Sequence, residues 1–402
     1  MKEGWKMVKL GEVCKKFGEY GMSVPSKSFD GIRYIRITDI TENGNLNDDY
    51  VSANIECVDT NYILQEGDVL FARTGATVGK TFVYRKGFGK CVYAGYLIRY
   101  RPDLSKVISQ YIYYYTHFQE YYDWVKRNQK AAAQPNISAK LYNNLELPLP
   151  PLEEQHRIVS ILDASFEKID ALKKNAEENL TNAKALFQQV LAQELQPKEG
   201  WSLVQIRDVA LLITKGASPK WQGNKYVEED GILFVTSENV REGYIDISTP
   251  KYVDKTFNLK QQRSILYKDD VLVNIVGASI GRSAIFDLDI IDANINQAVA
   301  LVRLDKTKLI PRLLCLYLNS NLAFEKYNSM KKDTARANLS LENIGDIELY
   351  IPKNITEQYR IVRTLDTLSE KCRRLEQVAQ QTIRECDALK QSILRQAFSG
   401  EL

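Results

Sequence analysis

Between Leu152 and Leu195 the apolar residues return every three or four positions for about eleven turns, a spacing that only a helix gathers onto one face. Ile158, Leu162, Ser165, Ile169, Leu172, Ala176, Leu180, Ala183, Phe187 and Val190 make the stripe. Glu167, Lys168, Lys173, Lys174, Glu177, Glu178 and Lys184 fall between them, so the remaining surface is solvated and the stripe alone needs a partner. A lone helix of this kind is marginal in water. At ~1.5 Å per residue it spans on the order of 60 Å, which describes a strut rather than a core helix.

The partner lies in the same chain. From Thr356 to Phe398 the pattern returns with Ile361, Leu365, Leu368, Cys372, Leu375, Ala379, Ile383, Cys386, Leu389, Ile393 and Ala397. Glu154-Gln155-His156-Arg157-Ile158-Val159 reappears as Glu357-Gln358-Tyr359-Arg360-Ile361-Val362, an offset of 203 (158 to 361). So faithful a repeat indicates an internal duplication.

The rest of the duplication follows. Gly4-Trp5 matches Gly200-Trp201 at an offset of 196 (4 to 200), and Gly31-Ile32-Arg33-Tyr34-Ile35 matches Gly231-Ile232-Leu233-Phe234-Val235 at 200 (31 to 231). Gly75-Ala76-Thr77-Val78-Gly79-Lys80 matches Gly277-Ala278-Ser279-Ile280-Gly281-Arg282 at 202 (75 to 277). The drifting offset describes one unit with small loop insertions. The matching segments are short, rich in Val, Ile, Tyr and Phe and bounded by Gly, Asn and Asp, so they read as strands. One helix is expected in each unit, over Ser105 to about Lys126 and about Lys308 to Tyr327. Pro150-Pro151 and Pro352 stiffen the turn into each strut. The expected order is an α/β domain of the α+β kind (1–150), a strut (151–196), a second such domain (197–352) and a second strut (353–402).

Several chemistries find no support. Gly75 to Thr81 has three residues between its glycines where a phosphate-binding P-loop has four, and the second copy replaces Lys80 with Arg282, so a tight inter-strand turn is the better reading. Only His117 and His156 are available, and the six cysteines never form C-x-x-C, which argues against zinc and for buried thiols in a reducing cytoplasm. No methyltransferase, dinucleotide-binding or nuclease pattern is present, so no catalytic residue and no metal site are assigned. No stretch of eighteen apolar residues could span a membrane, and the N-terminus has no signal-like apolar core. The net charge of +3 is too small to argue for nucleic acid by itself. The aromatic run from Tyr111 to Trp124 reads as core, because Tyr111 and Tyr114 become Leu313 and Leu316 in the second copy. More telling are basic groups after each domain helix: Lys126, Arg127 and Lys130 before Gln134-Pro135-Asn136, and Lys331 and Lys332 before Arg336-Ala337-Asn338. Amides and guanidinium groups suit base edges; the competing reading is a solvated loop with a helix cap.

The duplicated architecture, Pro-Leu-Pro-Pro-Leu-Glu-Glu-Gln-His-Arg-Ile-Val at 148–159 and Ile-Leu-Arg-Gln-Ala-Phe-Ser-Gly-Glu-Leu at 393–402 resemble the specificity subunits of Type I restriction-modification enzymes. The resemblance implies two target recognition domains, each reading half of a split duplex DNA sequence, held apart by the struts as a pseudo-two-fold antiparallel coiled coil. It also implies a non-catalytic chain without cofactor, docked to two modification subunits that bring S-adenosylmethionine, with ATP- and magnesium-dependent restriction subunits in the larger assembly. The two copies diverge most at Lys15–Asp30 against Leu211–Asp230 and Lys86–Tyr100 against Leu288–Leu301, so the expected target is asymmetric.

The expected DNA contacts are Arg33, Arg36, Arg73, Lys80, Lys126, Arg127, Lys130, Gln134 and Asn136 in the first domain. In the second they are Lys215, Lys220, Trp221, Asn274, Arg282, Lys331, Lys332, Arg336 and Asn338. Partner contacts are expected at Glu154, Gln155, Arg157, Glu357, Gln358 and Arg360, whose alternative role is capping and salt bridging within the coiled coil. A rival class, a coiled-coil protein scaffold without sequence-specific DNA binding, shares the duplicated pattern.

Overall fold

A computed structural model describes residues 2–41, 44–129, 135–228, 230–290, 292–330 and 338–402. The chain forms two compact units, Met1–Glu177 with Gln380–Leu402, and Glu178–Ala379. The division runs through both long helices rather than at their ends.

In the first unit four strands lie in the order Glu19–Tyr20, Leu97–Tyr100, Val69–Ala72 and Thr81–Val83, all antiparallel. Val69–Ala72 is buried on both faces, and its alternation divides two cores. Val69 and Phe71 join the core shared with the helices; Leu70 and Ala72 join Ile35, Phe82, Tyr93 and Leu97 on the other side. Beyond that second core Arg33–Ile35 runs parallel to Cys91–Tyr93. The second unit repeats the order with Ala210–Lys215, Val299–Leu304, Asp270–Asn274 and Ser283–Phe286, and the parallel pair with Ile232–Val235 and Ala293–Ile295. In each unit the first strand pairs with the last, Lys6–Lys9 with Glu146–Leu149 and Trp201–Gln205 with Glu348–Pro352, so the start of each domain is fastened beside the start of a long helix.

The helix expected over residues 105–126 is two, Ser109–Tyr115 and Gln119–Asn128. Buried Thr116 breaks it: its hydroxyl donates to the Tyr113 carbonyl at 2.7 Å and lies 2.6 Å from the Thr81 hydroxyl, a side-chain alternative to helical bonding. Ser320 separates Pro311–Leu318 from Asn321–Met330 in the same way, its hydroxyl donating to the Tyr317 carbonyl at 2.6 Å.

The long helices run over Leu152–Glu194 and Ile355–Ser399. Their buried residues include Leu162, Ile169, Ala176 and Ala183 in one and Leu365, Cys372, Ala379 and Cys386 in the other, each series stepping by seven as in coiled coils. In the first unit Lys173 pairs with Asp387 at 2.7 Å and Asp170 with Lys390 at 2.5 Å, so the helix segments there are antiparallel. In the second unit Arg360 reaches Glu194 at 3.3 Å, and Leu191 and Leu195 share a core with Ile361 and Leu365. Leu172 and Leu375, expected on the buried stripe, are 52% and 55% exposed.

Candidate nucleic-acid interface

Each unit carries a glycine turn on which the second domain helix and the returning segment close. In the first, Gly75 (φ +73°) and Gly79 (φ +90°) take the chain between Val69–Ala72 and Thr81–Val83. The Gly79 amide donates to the Ala72 carbonyl at 2.9 Å, and the Tyr121 hydroxyl donates to the Gly79 carbonyl at 2.7 Å. That bond seats the helix Gln119–Asn128 on the turn, with Lys126 and Arg127 exposed in its last turn. The returning segment crosses the other side: Asn136 bridges Thr74, the Ile137 amide donates to the Arg73 carbonyl at 2.9 Å, and the Thr74 hydroxyl donates to the Pro135 carbonyl at 3.2 Å. Ser138 then caps the helix Ala139–Asn143 by accepting from the Leu141 amide.

The second unit repeats the backbone bonds and the serine cap, but not the side-chain bonds of Tyr121 and Thr74, since Tyr327 donates to the Leu318 carbonyl and Val276 has no hydroxyl. Gly277 and Gly281 have φ of +83° and +87°, Asn338 bridges Val276, the Leu339 amide donates to the Ile275 carbonyl at 2.9 Å, and Ser340 caps Leu341–Gly345. What differs is the side chains on this frame. The Arg73 guanidinium lies 4.7 Å from the Tyr20 ring centroid, and its amide donates to the carbonyl of Tyr96, a side chain 61% exposed. By register, Lys215, Ile275 and Ala298 hold the places of Tyr20, Arg73 and Tyr96.

The turn therefore gathers Arg73, Lys80, Lys126, Arg127 and Asn136 in one unit, and Arg282 and Asn338 in the other. Lys215 is exposed at the end of its strand, and Lys220 and Trp221 stand on an exposed turn with Trp221 85% exposed. Lys130, Gln134, Lys331, Lys332 and Arg336 lie outside the described residues. Three expectations need correction. Arg33 is buried, donating to the Asn47 carbonyl at 2.5 Å beneath the Tyr50 ring, so it braces a loop and presents no free guanidinium. Asn274 is buried, its amide donating to the Ser237 carbonyl at 2.9 Å and the Ser279 hydroxyl at 3.0 Å, which locks the turn from beneath. Arg36 remains partly exposed but is held by Asp39 and Asp49 at 2.7 and 2.6 Å, and its hydrogen bond to Asp39 raises its pKa further. Tyr20 and Tyr96 were not singled out from sequence. Tyr96 follows Gly95 in a tight turn, a usable signal; Tyr20 has none.

At the helix starts, Glu154 holds Arg157 at 2.6 Å and Lys2 at 3.1 Å, and Arg157 donates to the Leu402 carbonyl at 2.6 Å. Glu357 and Arg360 repeat the pair at 2.8 Å. The hydrogen bond from Arg157 brings the Glu154 carboxyl down to about 2, against 4.5 ordinarily. Gln155 and Gln358, expected to face a partner, are instead 0% exposed with their amides bonded inside their own units. The helix surfaces expose leucines: Leu172 and Leu389 in the first unit, Leu186 and Leu375 in the second. They are the same two positions, 203 residues apart (172 to 375, 186 to 389).

Among the described residues no cluster of His, Cys, Asp and Glu could hold a metal ion, and no helix is long and apolar enough to cross a membrane. The family model for the Type I restriction modification DNA specificity domain matches residues 2–182 and 198–385. The chain belongs to this family. It is a family of DNA specificity subunits, the non-catalytic members of Type I restriction-modification complexes, which carry no cofactor themselves; S-adenosylmethionine and ATP sit on the partner subunits. The chain is 28% identical to the Type I restriction enzyme EcoBI specificity subunit of Escherichia coli over 72% of its length and 65% of that subunit's. It is 23% identical to the EcoKI specificity subunit of Escherichia coli (strain K12) over 83% and 75% of the two chains. In fold it is similar to a chain solved in work on complex assembly and conformational transition of the type I R-M system, with a TM-score of 0.79 and 22% identity over 100% of this chain and 99% of that one. The HsdS subunit of Thermoanaerobacter tengcongensis has a TM-score of 0.55 at 20% identity over 100% and 98%.

Proposed function

We propose that each unit of this specificity chain reads one half of a bipartite, asymmetric duplex sequence through its glycine turn. The observation that carries the reading is the shared frame with unlike side chains. Fastening the same turn twice while replacing Tyr20, Arg73 and Tyr96 by Lys215, Ile275 and Ala298 is what two readers of different sequences require. Lys80, Lys126, Arg127 and Arg282 serve phosphates; Arg73, Asn136 and Asn338 reach base edges, with Trp221, Lys220 and Lys215 widening the second surface. Lys130, Gln134, Lys331, Lys332 and Arg336 belong to the same basic connections.

The long helices, at ~1.5 Å per residue, act as the ruler between half-sites about one helical turn, roughly 34 to 36 Å, apart. The domains are thus 1–150 and 197–352, with 151–196 and 353–402 as spacers. Exposed leucines at equivalent positions along the helices, with Glu154, Arg157, Glu357 and Arg360 at the helix starts, offer two like surfaces for two copies of a modification subunit, with restriction subunits joining that assembly in the cytoplasm.

The test is to express the chain with its modification subunits and map methylated adenines across a genome that lacks other methylation. A split motif, methylated on both strands and lost when this chain is omitted, supports the reading. Methylation unaffected by omitting the chain contradicts it.

A further inference from the structure

Gln155 lies in the first turn of the first long helix with a fully buried side chain. Its carbonyl oxygen accepts from the Ile108 amide at 2.9 Å, and its amide donates to the carbonyls of Lys106 and Pro150, both at 2.9 Å. Ile108 is the N-cap residue of Ser109–Tyr115 and has no side-chain cap, so the glutamine satisfies a donor that burial would otherwise strand. Gln358 repeats every bond: it accepts from Ile310 at 3.0 Å and donates to Lys308 at 2.8 Å and Pro352 at 3.0 Å.

A second glutamine comes from the other long helix. Gln391 donates to the His117 carbonyl at 3.0 Å, in the break between the two domain helices. Gln188, 203 positions earlier (188 to 391), reaches the equivalent Asn319 carbonyl at 3.5 Å and accepts from the Asn321 amide at 3.3 Å. These glutamines fasten each recognition domain at two separate points, once to each helix, through its backbone, while Tyr114 to Asp163 and Arg312 to Asp366 add a side-chain bond in each unit. Backbone partners make the glutamine bonds indifferent to the side chains that vary between the domains, as Tyr114 and Arg312 do.

We infer that Gln155 and Gln358, seconded by Gln391 and Gln188, are positioning residues that fix the angle of each recognition domain on the ruler and so set how strictly the complex demands one spacer length. The inference rests on the proposed reading of half-sites. Apolar packing alone is non-directional and tolerates rocking, whereas three bonds to one planar amide hold a single orientation. The role lies in spacing, not in base choice.

The experiment uses the complex with its modification subunits and duplexes that carry both half-sites at the preferred spacer and at one and two base pairs either side, reading methylation rates. A wild-type complex with no preferred spacer would overturn the ruler reading itself. With that preference present, Gln155→Leu and Gln358→Leu should each lower the preference for the correct spacer over its neighbours by about tenfold, while base preference within each half-site stays as in wild type. Val92→Ala, in a core the long helices do not join, should lower thermal stability without moving the spacer profile. Gln391→Leu and Gln188→Leu remove fewer bonds and serve should a Gln155 or Gln358 variant not assemble; their expected loss is about threefold. A spacer profile identical to wild type in the assembled variants would overturn the inference.

Discussion

Thr74 and Asn136 face one another in an isolated antiparallel bridge, and the same bridge joins Val276 to Asn338 in the second unit. The bridge returns the segment after each domain helix across a glycine turn whose backbone no larger residue adopts comfortably. A Cβ at Gly79 would meet the Val125 side chain at 3.0 Å, and one at Gly281 would meet the Tyr327 ring at 2.2 Å. Gly79→Ala should cost about 1–2 kcal/mol through its positive φ. Gly281→Ala should cost ~1–3 kcal/mol more, because the buried ring must also move. Urea unfolding of the two variants against wild type measures both.

Arg73 and Lys126 should fail differently. Lys126→Ala is expected to weaken DNA binding for all sequences alike and to reduce the slope of log affinity against log salt by about one. Arg73→Ala should cost ~1–3 kcal/mol on the cognate duplex and relax the choice of one base pair in one half-site. Salt titrations with cognate and substituted duplexes separate the two behaviours.

On the helix surface, Leu172 and Leu375 are each about half exposed, so their own units cover only part of these side chains. Leu172→Asp and Leu375→Asp should each lower the chain's unfolding free energy by about 1–2 kcal/mol, through lost burial and helix propensity. Both should weaken assembly with the modification subunits, read by analytical ultracentrifugation.

Glu154 gives the chain an acid-sensitive contact. Its carboxyl is held at about 2, below the usual 4.5, so the unfolded chain takes up this proton first as pH falls. The contact contributes fully above pH 4.5, declines toward pH 2 and is absent below it. Glu154→Gln should remove that part of the pH dependence, so the stability gap between wild type and variant narrows across the same window. Because the pair is largely solvated, added salt should shrink the gap at neutral pH.

The parts of this fold that depend on periodicity were legible in the sequence. The long helices and their repeat announce themselves by spacing, since residues of one face recur at fixed intervals, whereas the strand around Val69, apolar throughout, shows by composition. Features set by distant neighbours did not. Thr116 alone does not foretell a helix break, because its hydroxyl, bonded to the Tyr113 carbonyl, also needs the distant Thr81 hydroxyl beside it. Arg33 and Asn274 are ordinary surface residue types, and only the loops closing over them reveal that they are buried. Gln155 looked like a helix-surface amide until the domain backbone at 106–108 closed on it. The glycine turn was found as a motif, but its role in joining Asn136 to Thr74 needed the fold.

The most direct measurement is selection from a randomised duplex pool by the assembled complex, run with wild type and with Arg73→Ala. Wild type should retain two short blocks at one separation. Arg73→Ala should blur a position in one block only, leaving the other block and the separation intact. Retained duplexes without a split motif, or a substitution in the first unit that alters both blocks, would contradict the account.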